Sequence, residues 1–275
     1  MSQATIVFIG AGNMASALIA GLIADGTDPQ RLIAADPDAA KRESLQAHAG
    51  IRTTGDNLAA AREADILVLA VKPQALKDVA IALAPVLGDR RPLVLSIAAG
   101  VRTPALRAWL GPAPALVRAM PNTPAMLQAG ASVLYADSGV SQAQRDGAER
   151  ILRAVGLVSW VDDEELMDAV TAVSGSGPAY YFLVMEAMET VACELGLPSE
   201  TAHLLTLQTA LGAARMAIES SDHPATLRRK VTSPGGTTER AIEVFEQRGL
   251  RELFHDALTA ARDRSVELSK LLGEQ

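Results

Sequence analysis

Two hydrophobic patterns alternate along the first part of the chain. Short runs are apolar at nearly every position: Ile6–Ile9, Leu32–Ala35, Ile66–Leu69, Leu93–Leu95, Leu116–Val117, Ser132–Tyr135 and Val158–Val161. A strand with one face in water alternates apolar and polar residues, whereas a strand covered on both faces has no polar side to show. These runs therefore predict strands of a parallel sheet lying between helices. Helix-period stretches such as Asn13 to Asp25 and Gln74 to Leu87 separate them. Strand and helix alternating at this spacing predict an α/β fold, a doubly wound Rossmann-type domain over residues 1–161.

Beyond Asp162 the strand signals stop, which predicts an all-helical C-terminal domain over residues 162–275. Helical periodicity covers about Glu164 to Val173, Pro178 to Leu195, Ser199 to Ser220, Ala225 to Val231, Thr238 to Gln247 and Leu250 to Leu272. Pro178 suits a first helical turn and Ser199 suits an N-cap. The helices between Pro178 and Ser220 are apolar around much of their circumference, so they are expected to be buried, in a core or against another subunit. Leu250, Leu253, Phe254, Ala257, Leu258 and Ala261 form one stripe on the last helix. No linker composition separates the halves, which predicts a tight hinge near Asp162-Asp163.

Composition narrows the classes. Of the 275 residues 49% are apolar and only 3% aromatic, so the core must be aliphatic. The single cysteine, Cys193, excludes an intramolecular disulfide framework and reads as a small packing residue in an apolar helix. With 25 basic against 32 acidic residues the net charge is −7, which argues against a general nucleic-acid binder. No run approaches the ~20 apolar residues of a membrane span. The start Met1-Ser2-Gln3-Ala4-Thr5 lacks a basic leader, and the expected compartment is the cytoplasm. His48, His203, His223 and His255 have no metal-ligand spacing, so no metal is expected.

Candidate chemistry begins directly after the first run. Gly10-Ala11-Gly12-Asn13-Met14-Ala15 is a G-x-G-x-x-A pattern at a strand-to-helix turn. Gly10 permits the tight turn, Gly12 lets backbone approach a pyrophosphate, Ala15 lets the helix pack closely, and the helix start offers N–H donors to phosphate. The second run ends at Asp36, about 20 residues further on, where a carboxylate can bond the ribose hydroxyls of NAD and repel the 2′-phosphate of NADP. Lys41 and Arg42 follow and could offset that repulsion, and Asp36-Pro37 could equally serve to cap the next helix.

In doubly wound folds ligands gather beyond the carboxyl ends of the strands. Ala70-Val71-Lys72-Pro73, Ala98-Ala99-Gly100 and Met120-Pro121-Asn122 occupy such ends, with Lys72 either steadying an anion or simply solvated. The helical half holds two more glycine turns, Ser174-Gly175-Ser176-Gly177-Pro178 and Val231-Thr232-Ser233-Pro234-Gly235-Gly236-Thr237-Thr238. Each precedes a helix, where free N–H groups bind a carboxylate or phosphate. Plain N-capping by Ser176, Thr237 or Thr238 is the simpler alternative.

At these residues the chain resembles the pyrroline-5-carboxylate reductases. Pro224 to Leu227, Val231 to Thr238, Ala241-Ile242 and Phe245-Glu246 look like the family signature. Phe8 to Ala15, Ala70 to Gln74, Ser96 to Gly100, Arg118 to Pro124 and Ala169 to Tyr180 follow in the family's order. The resemblance implies reduction of the C=N bond of 1-pyrroline-5-carboxylate to L-proline by NADPH or NADH. It implies that Ser233 and the N–H groups from Gly235 through Gly236 and Thr237 to Thr238 hold the substrate carboxylate. Thr238 would bond the ring nitrogen as the catalytic residue, and Ser176 and Gly177 would line the same cleft. Gly10, Ala11, Gly12, Asn13, Met14, Asp36, Asn57, Ala70, Val71, Lys72, Pro73, Ala98, Ala99, Gly100 and Asn122 would bind the cofactor. It also implies a homodimer assembled into a larger homo-oligomer. One departure is that many members carry Arg or Ser for NADPH where this chain has Asp36-Pro37, which leaves coenzyme preference open. A β-hydroxyacid dehydrogenase would need a lysine soon after Ser174 to Tyr180, and Tyr181 to Glu186 contain none. A non-catalytic dinucleotide-binding regulator would not need the turn from Ser233 to Thr238.

Overall fold

The computed structural model describes residues 4–88 and 91–273. Met1–Gln3, on which the reading of a leaderless start partly rests, lie outside the described residues. The first compact unit is built on β1 (Ile6–Ile9), α1 (Asn13–Ala24), β2 (Leu32–Ala35), α2 (Ala39–Ala49), β3 (Arg52–Thr54), α3 (Asn57–Ala61), β4 (Ile66–Leu69) and α4 (Pro73–Leu87). It continues through β5 (Leu93–Ser96), α5 (Thr103–Leu110), β6 (Ala115–Met120), β7 (Gly130–Ala136), α6 (Gln142–Arg153), β8 (Gly156–Val161) and α7 (Leu166–Val170). The strands form one eight-stranded sheet in the order β3-β2-β1-β4-β5-β6-β7-β8.

All seven expected runs are strands of this sheet. The eighth, β3, carries no apolar signal because Arg52-Thr53-Thr54 lies at the sheet edge, where little is buried. The expectation of a parallel sheet fails at one junction: β7 runs antiparallel to β6, and β8 then pairs parallel to β7. β7 accordingly shows the alternating burial of a strand with one sheltered face. In β1, by contrast, Ile6 and Phe8 enter one core with Leu18, Ile19 and Leu22 of α1, while Val7 and Ile9 enter the other with Leu76 and Leu83 of α4. Two cores on one strand leave no position for a polar residue, which is why the run is uninterrupted.

The second compact unit consists of α8 (Gly177–Glu194), α9 (Ser199–Glu219), α10 (Pro224–Lys230), α11 (Thr237–Gln247) and the first part of α12 (Leu250–Gly273). The units divide as Met1–Ser176 with Ala260–Gln275, and Gly177–Thr259. The expected boundary at Asp162-Asp163 is therefore displaced in two ways. The segment after β8 stays with the sheet, and the end of the chain returns to it.

Buried ionic contacts explain both. Glu164 accepts hydrogen bonds from Arg118 of β6 (2.7 Å) and from the Thr103 amide and hydroxyl at the start of α5 (2.7 Å each). Asp168 of α7 accepts from Arg102 (2.6 Å) and from Ser265 of α12 (2.6 Å). Burial first, and then the Glu164 carboxylate, hold the Tyr135 phenol of β7 above its ordinary range. The helix expected to run to Val173 ends at Val170 and widens into a π-turn over Thr171–Gly175. There the Thr171 and Ser174 hydroxyls bond back to the Met167 and Val170 carbonyls.

Within the second unit, Pro178 does occupy the first turn of α8, but the N-cap of α9 is Pro198 and not Ser199, and no side chain bonds there. Among the described residues of α8 and α9 only Gly177, Ala202 and Thr206 are buried. Cys193, expected to pack inside, is exposed. Tyr181, Phe182, Leu183, Leu204, Leu205 and Leu211 are exposed as well. Within their own compact unit, α8 and α9 leave most of this apolar surface uncovered.

Removing Glu164 leaves buried Arg118 without its carboxylate and Thr103 without its partner. Glu164→Ala should lower stability by about 3 kcal/mol, read by urea denaturation at fixed protein concentration. The exposed pair Arg215–Glu219 provides the control, since Glu219→Ala should change stability by less than about 1 kcal/mol. Equal costs for the two variants would remove the buried pair from its structural role.

Candidate functional site

The carboxyl end of β1 turns sharply into α1. Gly10 has φ +103°, and its amide donates to the Ala35 carbonyl (2.7 Å). A Cβ at Gly10 would lie 2.7 Å from the Ala70 carbonyl oxygen at the end of β4, so the turn is pressed against the neighbouring strand. Gly12 is different: a Cβ there would meet nothing within 4 Å. It is the N-cap of α1, with no side-chain hydrogen bond to the first helical turn. The first amides of α1 thus face an open space and have no intrahelical acceptors. Asn13 is exposed, Met14 half-buried, and Ala15 fully buried beneath them.

Asp36 follows β2 and is only 6% exposed. One carboxylate oxygen accepts the Ala11 amide of the glycine turn (2.8 Å), the other the Asp38 amide (2.9 Å). The alternative that Asp36 caps the next helix does not hold, because Asp38 is the cap of α2 and accepts from the Ala40 and Lys41 amides. Asp36 instead joins the end of β2 to the glycine turn.

Other predicted residues lie at the same edge of the sheet, at or just beyond the carboxyl ends of β3, β4, β5 and β6. Ala70, Val71 and Pro73 are half-buried, while Lys72 is exposed and precedes α4 without a capping bond. Ala98 and Gly100 are buried and Ala99 half-buried. Asn57 opens α3, and its side-chain carbonyl oxygen is buried without a hydrogen-bond partner. Asn122, by contrast, uses both side-chain polar atoms internally: Nδ2 donates to the Ser174 carbonyl (3.0 Å) and Oδ1 accepts the Ala131 amide (2.9 Å). Its side chain braces the π-turn, leaving only backbone for a ligand. Ser96, which the strand pattern did not single out, has a buried hydroxyl without a partner at the end of β5. A lone hydroxyl closing an apolar run was the available signal.

These features suit a dinucleotide. The space over Gly12 and the uncapped amides of α1 fit a pyrophosphate, and the orphaned Asn57 oxygen is an acceptor awaiting a hydroxyl or amine.

In the second unit, Gly177 begins α8 and is buried, whereas Ser176 closes the π-turn and belongs to the first unit. Gly235 has φ +69°, a conformation glycine alone adopts freely, and its amide donates to Glu239 Oε2 (2.7 Å). The Gly236 amide donates to the Ser233 carbonyl (3.1 Å). Two of the four amides expected to hold a carboxylate are therefore engaged by the chain itself. Gly236 is the N-cap of α11 and no side chain caps the helix, so Thr237 and Thr238 do not serve as caps. The amides of Thr237 and Thr238 stand open, with Thr238 half-buried and Ser233 exposed.

Known proteins resemble the chain along its whole length. The family model described as pyrroline-5-carboxylate reductase dimerisation matches residues 164–268, and that described as NADP oxidoreductase coenzyme F420-dependent matches residues 5–100. The chain is 53% identical to a pyrroline-5-carboxylate reductase of Pseudomonas aeruginosa, over 100% of both chains. It is similar in structure to a pyrroline-5-carboxylate reductase from Coxiella burnetii, with TM-score 0.94, 51% identity and coverage of 97% and 99%. A pyrroline carboxylate reductase of Plasmodium falciparum, solved with NADP bound, matches with TM-score 0.86, 27% identity and coverage of 98% and 99%.

The two glycines of the first turn should respond differently to a methyl group. Gly10→Ala should cost about 2 kcal/mol or more of stability, through its left-handed backbone and the overlap with Ala70. Gly12→Ala should change stability by less than about 1 kcal/mol yet weaken coenzyme binding by about tenfold or more. Thermal denaturation and fluorescence titration check the pair, and unchanged binding in Gly12→Ala would place the pyrophosphate elsewhere.

Proposed function

Since the chain belongs to the pyrroline-5-carboxylate reductase family, we propose that it carries out that family's reaction with the residues assigned below. It is a nicotinamide-dependent oxidoreductase that reduces 1-pyrroline-5-carboxylate to L-proline. The observation that carries the site assignment is the uncapped start of α11, where the Thr237 and Thr238 amides stand open and the Ser233 hydroxyl lies against Gly236. This arrangement suits a carboxylate, held by two helix-start N–H groups and the positive end of the helix dipole. Gly235 and Gly236 contribute by shaping the turn, since their own amides are occupied.

When bound, the reduced nicotinamide supplies the hydride that reaches the imine carbon. Hydride addition to the iminium carbon turns the ring nitrogen, which already carries its proton, into the secondary amine of proline. No side chain in the turn is a strong general acid, and the substrate enters as the iminium. The Thr238 hydroxyl accepts the iminium N–H and so orients the nitrogen, and it relays from water the proton that the product amine then takes up. We assign Ser176 and Gly177 to the substrate as well.

The working form is a homodimer. Support comes from the apolar surfaces of α8 and α9, which no part of their own compact unit covers, and from the dimerisation family match over the same region. We also assign further assembly into a larger homo-oligomer and a cytoplasmic location. The latter is supported by a lone free thiol, and no described helix is long and apolar enough to cross a membrane.

Oxidation of NADPH or NADH should depend on added pyrroline-5-carboxylate and not on a 3-hydroxyacid control. Absence of imine-dependent oxidation would overturn the reading. Thr238→Ala should lower kcat roughly a hundredfold with coenzyme affinity nearly unchanged, and full turnover in that variant would remove Thr238 from the chemistry. Light scattering at micromolar concentration should give a mass of at least two chains, and a monomer would contradict the assembly.

A further inference from the structure

The residues around Asp36 bear on which nicotinamide coenzyme the chain accepts. NADPH differs from NADH only by a phosphate on the 2′-hydroxyl of the adenosine ribose. In doubly wound folds that hydroxyl meets the residue ending the second strand. Here the residue is a carboxylate, and its surroundings hold it in place. Both oxygens accept backbone amides, one from Ala11 in the glycine turn and one from Asp38. Each oxygen keeps a second lone pair for a ribose hydroxyl. Rotating the side chain away from an incoming phosphate would strip a buried amide of its partner, so the negative charge cannot retreat.

The two nearby cations do not reverse this. Arg42 donates from Nη1 to the Asp36 carbonyl (2.7 Å) and the Pro37 carbonyl (3.0 Å), and its guanidinium lies against Gly55. These neutral carbonyls leave its charge in place but hold its Nη1 toward the loop backbone. Lys41 lies 3.8 Å from Asp36 Oδ2 with its side chain about half exposed, so it already serves as that carboxylate's counter-ion. With Lys41 set against the fixed carboxylate, only Arg42, turned into the loop, is left to balance a phosphate that near pH 7 carries between one and two negative charges.

We propose that Asp36, locked by the Ala11 and Asp38 amides, makes this chain select NADH over NADPH. The inference rests on the nicotinamide-coenzyme reading of the sheet edge and goes beyond it by naming the residue that sets the choice. Replacing Asp36 would lift the repulsion and release Lys41 toward a phosphate.

Binding can be measured without turnover. Fluorescence titration of the wild-type protein with NADH and NADPH should show NADH binding about tenfold tighter or better, and calorimetry should rank ADP-ribose above its 2′-phosphate in the same order. Asp36→Ser should shift the ratio of the two dissociation constants toward NADPH by at least about tenfold. Asp36→Asn, which keeps a side-chain acceptor for one of the amides, should shift it in the same direction. Melting temperatures show whether each variant is folded, and the wild-type ratio decides the question if neither is. Equal or tighter binding of NADPH by the wild-type protein overturns the proposal while leaving the coenzyme site intact. Binding of neither nucleotide overturns the coenzyme reading and the proposal together.

Discussion

Two carboxylates, Glu164 and Asp168, hold the chain to the sheet at the point where it would otherwise leave. Glu164 gathers Arg118 from β6 and Thr103 from the start of α5, and Asp168 reaches Arg102 and Ser265. Each is largely removed from water, so each needs its partners. The consequences run in both directions along the chain. Upstream, the end of β6 is fixed, and with it Asn122 and the π-turn it braces. Downstream, the last turns of α12 are brought back, and Leu272 packs near Gly100 beyond β5. A site at a sheet edge needs its loops immobile, and these contacts supply that immobility.

The glycine turn shows the same economy at closer range. Gly10 has no Cβ because the Ala70 carbonyl occupies that space, and the Ala11 amide is held by Asp36. Three strand ends, those of β1, β2 and β4, are thereby fastened to one another by one close contact and a few backbone hydrogen bonds. The open volume above Gly12 is what remains after the rest of the turn has been fixed. A turn already fixed in this way spares a ligand the entropy of ordering its own site.

Much of the first unit was legible because its strands are buried on both faces, and burial on both faces writes an uninterrupted apolar run. β3 was not, since Arg52-Thr53-Thr54 at an edge buries almost nothing. The antiparallel turn into β7 leaves its mark as alternation, a weaker signal in a run of four residues. The unit boundary was invisible because it depends on Glu164 and Asp168 finding partners far away in sequence, and a lone acidic residue on a helix carries no sign of that. Among site residues, position and residue type were readable, but occupancy was not. Asn122, Gly235 and Gly236 looked available for a ligand, yet their hydrogen-bonding groups are engaged by neighbours that only the folded chain brings near.

The apolar helices of the second unit have a consequence at the level of the cell. A chain without a partner displays Tyr181, Phe182, Leu204 and Leu205 to its surroundings, and the unit has almost no interior of its own. Folding of this half is therefore completed by meeting another chain. Where chains are scarce, the amount of finished enzyme grows with the square of the number synthesised, and only above the dissociation constant does it become proportional. Slow expression would leave a disproportionate share of chains as apolar orphans, open to proteases and aggregation. Synthesis of neighbouring copies on one messenger would shorten that exposed interval.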